Sequence, residues 1–164
     1  MITSKYHKVY ATVIYGSIDV IAGDCPFDII FVVDESSSVA QVNFDLMTSF
    51  LSALVGRLQI GNGNTRVGLV KFSTAVDTAE AFQLNTHSSV ADVVSAISAL
   101  TYGRGGTNTH LALHYVRTTM LTAANGDRAN VPNAVVILTD GRSDQPAETQ
   151  VCSVWKLIKT TSLF

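Results

Sequence analysis

The stretch Phe27 to Ser38, reading FDIIFVVDESSS, constrains the fold of this chain more than any other. Phe27, Ile29, Ile30, Phe31, Val32 and Val33 are almost continuously apolar, and all are β-branched or aromatic. A strand with one solvated face alternates in polarity. A strand that does not alternate is buried on both faces, as in a parallel sheet covered by helices. The chemistry then changes at once. Asp34, Ser36 and Ser38 put a carboxylate and two hydroxyls on alternate residues at the C-terminal end of the strand, where ligands bind in open α/β sheets. Oxygen donors alone suit a hard cation such as Mg²⁺ or Mn²⁺ rather than Zn²⁺ or Cu²⁺. A Ser-rich turn capped by Asp is the plainer reading of the same letters, and the rest of the chain has to decide between the two.

A second such strand is Ala134 to Thr139, AVVILT, and it too runs into an acid, Asp140. Between the two lie alternating elements. The spacing of Met47, Phe50, Leu51, Leu54 and Leu58 predicts a helix over about Val39–Leu58, ended by Gly61, Asn62, Gly63 and Asn64. Thr65–Ser73 (TRVGLVKFS) reads as a strand, and the short turn to Asp77–Leu84 predicts an antiparallel pair. Ser89 can cap a helix over about Ser89–Leu100, with Asp92 three residues on and Val90, Val93, Val94, Ile97 and Leu100 as its apolar stripe. After the loop TYGRGG, Thr107 is expected to open a third helix running to about Leu121. Pro146 can start a last helix with Val151, Val154, Trp155 and Ile158 inward. Such alternation predicts an α/β, Rossmann-like fold: a mostly parallel central sheet with one antiparallel strand and helices on both faces.

Residues 1–24 carry two readings. Lys5, His7 and Lys8 precede an apolar run from Val9 to Ile18, with Val20 and Ala22 at small-residue spacing before Gly23, in the manner of a secretory leader. Asp19, Thr12 and Ser17 count against it, and Val9, Tyr10, Thr12, Val13, Ile14 and Tyr15 are strong strand formers. The sequence leaves both open.

Bulk properties narrow the function classes. At 164 residues the chain can bury one substantial core. Its charged fraction of 15% is low against about 25% on average. A net charge of −2 argues against nucleic acid or an anionic membrane as the main partner. No apolar run approaches the roughly 18 residues of a membrane span. Cys25 and Cys152 are too few for a disulfide scaffold and fit no close-spaced metal motif.

The two buried strands should be parallel, which brings Asp34 and Asp140 to one edge of the sheet, with Thr107 at the start of the helix preceding the second strand. Asp34, Ser36, Ser38, Thr107 and Asp140 then form an oxygen cluster fit for one divalent ion. The combination D-x-S-x-S, G-G-T-N-T and L-T-D-G-R-S, in that order, resembles the von Willebrand factor type A domain with its metal-ion-dependent adhesion site. The likeness covers about Cys25 to Ser143 and includes all five ligand positions.

That resemblance implies a protein-binding or adhesion module, with no catalysis, in which an acidic side chain of the partner completes the shell of a bound Mg²⁺ or Mn²⁺. Carried over, Ser36, Ser38 and Thr107 are direct ligands, and Asp34 and Asp140 act directly or through water. The wording CPFDIIFVVDESSSV is most like the extracellular-matrix members, such as matrilins and collagen-associated domains. A secreted protein that meets matrix or cell-surface proteins presenting Asp or Glu is the corresponding expectation. Matrix members often place a disulfide cysteine where Cys25 stands; a free buried thiol is the alternative.

Two features depart from the pattern. Ser37 stands where the family usually has Gly before the second serine. The family also continues with another apolar strand and helix, so residues 25–164 are expected to be a domain lacking those last elements. The Ala134–Asp140 strand can then be covered by Val9–Tyr15 folding back, be covered by the helix after Pro146 through Val151, Trp155 and Ile158, or stay an open edge; the open edge is the expectation.

The residues speak against other classes. An aspartate-nucleophile phosphatase needs a second acid two residues after the first, and position 36 is Ser. Gly103, Gly105 and Gly106 precede a helix, as in a phosphate cradle, but no G-K-[ST] follows. There is no G-x-S-x-G elbow. His110 and His114 have the i, i+4 spacing of a zinc pair, but Leu111 replaces the glutamate of H-E-x-x-H. An intracellular scaffold module of an ATPase-type complex is the remaining alternative if residues 1–24 are not a leader.

Overall fold

The computed structural model describes residues 10–15, 26–61, 63–140 and 143–154, with side-chain surroundings described from 26 to 150 only. Cys25, Trp155 and Ile158, and the side chains of Val151, Cys152 and Val154, lie outside these, so the expectations that rest on them do too.

The strands are β1 (Tyr10–Tyr15), β2 (Asp28–Asp34), β3 (Arg66–Phe72), β4 (Val76–Phe82) and β5 (Asn133–Thr139), and the helices are α1 (Ala40–Val55), α2 (Val90–Ser98), α3 (Thr109–Tyr115) and α4 (Pro146–Val154). They form one sheet in the order β1-β5-β2-β3-β4. β2 pairs in parallel with β3 on one side and β5 on the other, every residue of it is buried, and Val33 lies opposite both Lys71 and Leu138. The unbroken apolar run follows from its side chains serving two cores. Ile29, Phe31 and Val33 pack with Phe44, Met47, Leu51, Val93 and Ile97 of α1 and α2. Ile30 and Val32 pack with Val70, Ala112, Leu113, Val116 and Met120 on the α3 side. No helix among the described residues is long and apolar enough to cross a membrane.

β4 is antiparallel to β3, as expected, and a second antiparallel strand joins the sheet at its other end. There the open edge foreseen for Ala134–Asp140 is corrected. β1 pairs along β5 from Tyr10 opposite Thr139 to Tyr15 opposite Val135, with an irregularity between Val13 and Tyr15. The β-branched and aromatic residues of YATVIY supply a partner for the N–H and C=O groups that would otherwise face solvent.

Three helix expectations shift. α1 turns Phe44 inward with Met47, Leu51 and Val55, while Phe50 is 50% exposed. Phe50 precedes Leu51 by one residue and so lies about 100° around the helix from it. The third helix starts at Thr109 rather than Thr107, because Thr107 is already committed to a loop: its N–H donates to Asp144 Oδ2 and its carbonyl accepts from Asp144 N. That helix also widens into a π turn over Val116–Met120, where Leu121 N–H reaches Val116 O at 2.9 Å. By contrast, α2 has the expected cap, with Ser89 accepting from Asp92 N.

Candidate metal centre

Parallel pairing of β2 and β5 puts their C-terminal ends at one edge of the sheet, so Asp34 and Asp140 emerge side by side. A chain of hydrogen bonds links them. Asp34 Oδ1 accepts from Ser36 N at 2.8 Å, which turns the backbone sharply after the strand. Ser36 Oγ lies 3.1 Å from Ser38 Oγ, and Ser38 Oγ donates to Asp140 Oδ1 at 3.0 Å. Asp34 Oδ2 accepts from Thr139 Oγ1 at 2.6 Å. Four of the five sequence-derived residues are therefore held in one connected group. Asp34 and Ser36 are fully buried, and Ser38 is exposed.

Thr107 reaches this edge by a different route. Among the described residues no hydrogen bond joins it to Ser36 or Ser38; its loop is stitched to theirs. Ser37 N donates to Gly105 O at 2.9 Å, and Gly105 N donates to Ser37 Oγ at 3.0 Å. Tyr102 Oη donates to Ser36 O at 2.9 Å. The serine at 37, a departure from the glycine of the family pattern, thus ties the two loops together through its hydroxyl. Gly105 has φ +124°, and a Cβ there would lie 2.8 Å from Thr74 Oγ1, so the close approach needs a glycine. Among the described residues, the two non-glycine residues with positive φ, Ala40 (φ 62°) and Arg104 (φ 67°), sit in or beside these same loops. Strain of this kind persists where surrounding contacts over-determine the backbone, and it clusters at binding sites.

Electrostatics at this edge favour a cation. Burial pushes the Asp34 carboxyl above the ordinary 3.8; hydrogen bonds from Ser36 and Thr139 oppose this, and the neighbouring charge of Asp140 adds to it. Among the described residues neither Asp34 nor Asp140 has a cationic partner. No group of three or more His, Cys, Asp or Glu among the described residues is placed to hold a metal, so His110 and His114 do not build one. Any cation here would depend on hydroxyl oxygens beside the two acids. That all-oxygen donor set, with a buried carboxylate beside a second one, fits a hard divalent ion.

Sequence reasoning missed three contributors. Thr139 holds Asp34, and the only signal was its place as the last residue of AVVILT. Asp144 fixes Thr107, and its signal was the acid just after T-D-G-R-S. Glu35 accepts from Gly103 N at 3.0 Å and from Lys71 Nζ at 2.8 Å; a lysine inside the apolar strand TRVGLVKF was the visible sign of a buried partner.

Known proteins similar to this chain fall in one family. The sequence model of the von Willebrand factor type A domain matches residues 28–162. The chain is 38% identical over 120 residues to matrilin-1 of Bos taurus, covering 71% of this chain and 22% of that protein. It is 38% identical over 125 residues to the collagen alpha-4(VI) chain of Mus musculus, covering 75% of this chain and 5% of that one. Among solved structures it is similar to proximal thread matrix protein 1 of the mussel byssus, with TM-score 0.70 and 29% identity over 80% of this chain and 36% of that chain. A second structure of that byssus protein, with a zinc-occupied MIDAS motif, superposes with TM-score 0.68 at 28% identity, covering 80% of this chain and 36% of that one.

Proposed function

This chain belongs to the von Willebrand factor type A domain family, and we propose that it is a divalent-cation-dependent protein-binding module of an extracellular-matrix or cell-surface protein. The observation that supports this most is the hydrogen-bonded row Asp34–Ser36–Ser38–Asp140 at the ends of two parallel strands. Ser36, Ser38 and Thr107 would hold Mg²⁺ or Mn²⁺ through neutral hydroxyls, with Asp34 and Asp140 as the anionic members. When bound, the ion supplies a positive charge that accepts an Asp or Glu side chain of the partner. The protein's own part is to keep these oxygens converged and to limit the anionic charge around the ion to the two acids, so that its pull on a further carboxylate persists.

Nothing in this arrangement acts as a nucleophile with an adjacent base, so binding rather than turnover is the proposed activity. Likeness to a matrilin, a collagen chain and a byssus matrix protein supports an extracellular setting. The zinc-occupied motif of the byssus protein makes Zn²⁺ a competitor to include.

The test is adhesion of the full chain to a panel of immobilised matrix proteins in Mg²⁺, Mn²⁺, Zn²⁺ or chelator. Binding should require a divalent ion and vanish in Ser38→Ala. Binding that persists in chelator would contradict the proposal. So would hydrolysis of a phosphate ester that is lost in Asp34→Asn.

A further inference from the structure

Lys71 lies within β3 with its side chain 1% exposed. A buried ammonium has three N–H donors to place, and Lys71 Nζ is surrounded by four acceptors. Glu35 Oε2 stands at 2.8 Å, Asp77 Oδ2 at 2.9 Å, Glu80 Oε2 at 2.9 Å and the Thr101 carbonyl at 2.7 Å. Asp77 and Glu80 belong to β4, and Asp77 lies directly across from Lys71. The other two acceptors belong to the loops of the candidate metal centre. Glu35 falls between Asp34 and Ser36, and Thr101 begins the loop that leads to Thr107.

The same groups are cross-linked again. Glu35 Oε2 accepts from Gly103 N, and Glu80 accepts from both Thr101 N (3.0 Å) and Thr101 Oγ1 (2.7 Å). Gly103 is packed so closely that a Cβ there would lie 2.6 Å from the Glu35 carboxylate. Glu35 is thereby held inward while Asp34 and Ser36 on either side face the edge. Lys71 and Glu35 are buried, while Asp77 and Glu80 are each 29% exposed; replacing a buried ion pair by apolar residues of similar volume is often neutral or stabilising, so a fold-only role gives little reason for burying Lys71 against Glu35. A role in fixing two loops does give one.

We propose that Lys71 is a positioning residue for the candidate metal centre, its ammonium locking the Ser36–Ser38 loop and the Thr101–Thr107 loop into one geometry before the ion arrives. This rests on the metal reading of that centre.

The test is Mn²⁺ affinity of the full chain, read from the paramagnetic resonance of free Mn²⁺, for wild type, Lys71→Met and Glu80→Asp, with metal-free melting followed in parallel. Charge alone and positioning predict opposite signs. Removing the ammonium leaves the region more negative, which would tighten Mn²⁺ binding; loss of positioning weakens it, by about 10–100-fold. Mn²⁺ taken up by the freed carboxylates is subtracted using Lys71→Met/Ser38→Ala. Glu80→Asp preserves the charge and shortens the reach to Lys71 and Thr101, so weakening of about 10-fold there is expected on geometry alone. Unchanged or tighter binding at the centre in Lys71→Met overturns the proposal. If Lys71→Met does not fold, unchanged binding in Glu80→Asp overturns it. A wild type that takes up no Mn²⁺ overturns the metal reading and this inference with it. That outcome is distinct from a wild type that binds while its variants bind equally well.

Discussion

Removing the Arg128 guanidinium should destabilise this fold severely without touching the candidate metal centre. Asp28, the first residue of β2, has no exposed surface. Arg128 holds it from Nε at 3.0 Å and Nη2 at 2.7 Å, and the Arg128 backbone N–H adds a bond of 2.9 Å to the other oxygen. The same guanidinium reaches Phe27 O at 3.2 Å and Asn64 O at 2.7 Å, tying the start of β2 to the turn before β3. Arg128→Met keeps the apolar stem and leaves the buried carboxylate with one backbone N–H. Breaking such a pair by removing one partner costs about 3–5 kcal/mol. That is a large share of a typical total of about 5–15 kcal/mol. At about 2–4 °C per kcal/mol for a chain of this size, the midpoint should fall by about 6–20 °C. Asp28 and Asp34 occupy opposite ends of β2, about 20 Å apart at about 3.3 Å per residue. Any stabilisation by Mn²⁺ should therefore be the same in wild type and variant, as for independent sites. Thermal and urea melts with and without Mn²⁺ measure both quantities. A loss below about 1 kcal/mol would show that the pair behaves as a solvated surface contact and refute the burial argument. A lost Mn²⁺ response would refute the independence of the two ends.

The phase of α1 gives a paired prediction. Phe44→Ala should cost about 3–5 kcal/mol because Phe44 is 1% exposed, while Phe50→Ala should stay within about 0.5 kcal/mol of wild type; equal costs in urea melts would mean the helix is turned differently. The Lys71 cluster gives a pH dependence. The hydrogen bond from Lys71 holds Asp77 below its ordinary 3.8, against burial. For Glu80 burial works upward, but bonds from Thr101 and Lys71 outweigh it and hold the carboxyl below 4.5. Depressed carboxyls stabilise fully above their unfolded values and lose that contribution as pH falls through the folded ones. Urea denaturation should therefore show an acid limb below about pH 4.5 that is shallower in Asp77→Asn, and an unchanged limb would contradict the pairing. For Lys71 burial acts downward, and the three carboxylates overcome it and raise it above 10.5, so its contribution is whole below that value and lost only at higher pH.

Much of the fold was legible because burial on both faces leaves a mark in composition. β2 and β5 carry unbroken apolar runs that end at Asp34 and Asp140, and that alone placed the acids on one edge. The helix phase was less legible, since Phe44 and Phe50 both lie on plausible stripes and only packing against Ile29, Phe31 and Val33 of the sheet selects Phe44. β1 was ambiguous because YATVIY suits a leader or a strand, and its partner β5 lies far along the chain. The start of α3 was misplaced because the backbone of Thr107 is claimed by Asp144, a contact between residues 37 apart. The Lys71 cluster draws on β3, β4 and two loops, so no local window contains it. Only the lysine in an apolar strand hinted at it.

The most direct test of a metal centre in this fold is the thermal midpoint of the full chain in excess Mg²⁺ or Mn²⁺ against chelator. An ion that binds only the folded state at 100 times its Kd adds about 2.7 kcal/mol, or about 5–11 °C for a chain of this size. Wild type should show that rise, and Asp34→Ala and Ser38→Ala should not. Coincident wild-type melts with metal and with chelator would contradict a metal centre at Asp34, Ser36, Ser38, Thr107 and Asp140.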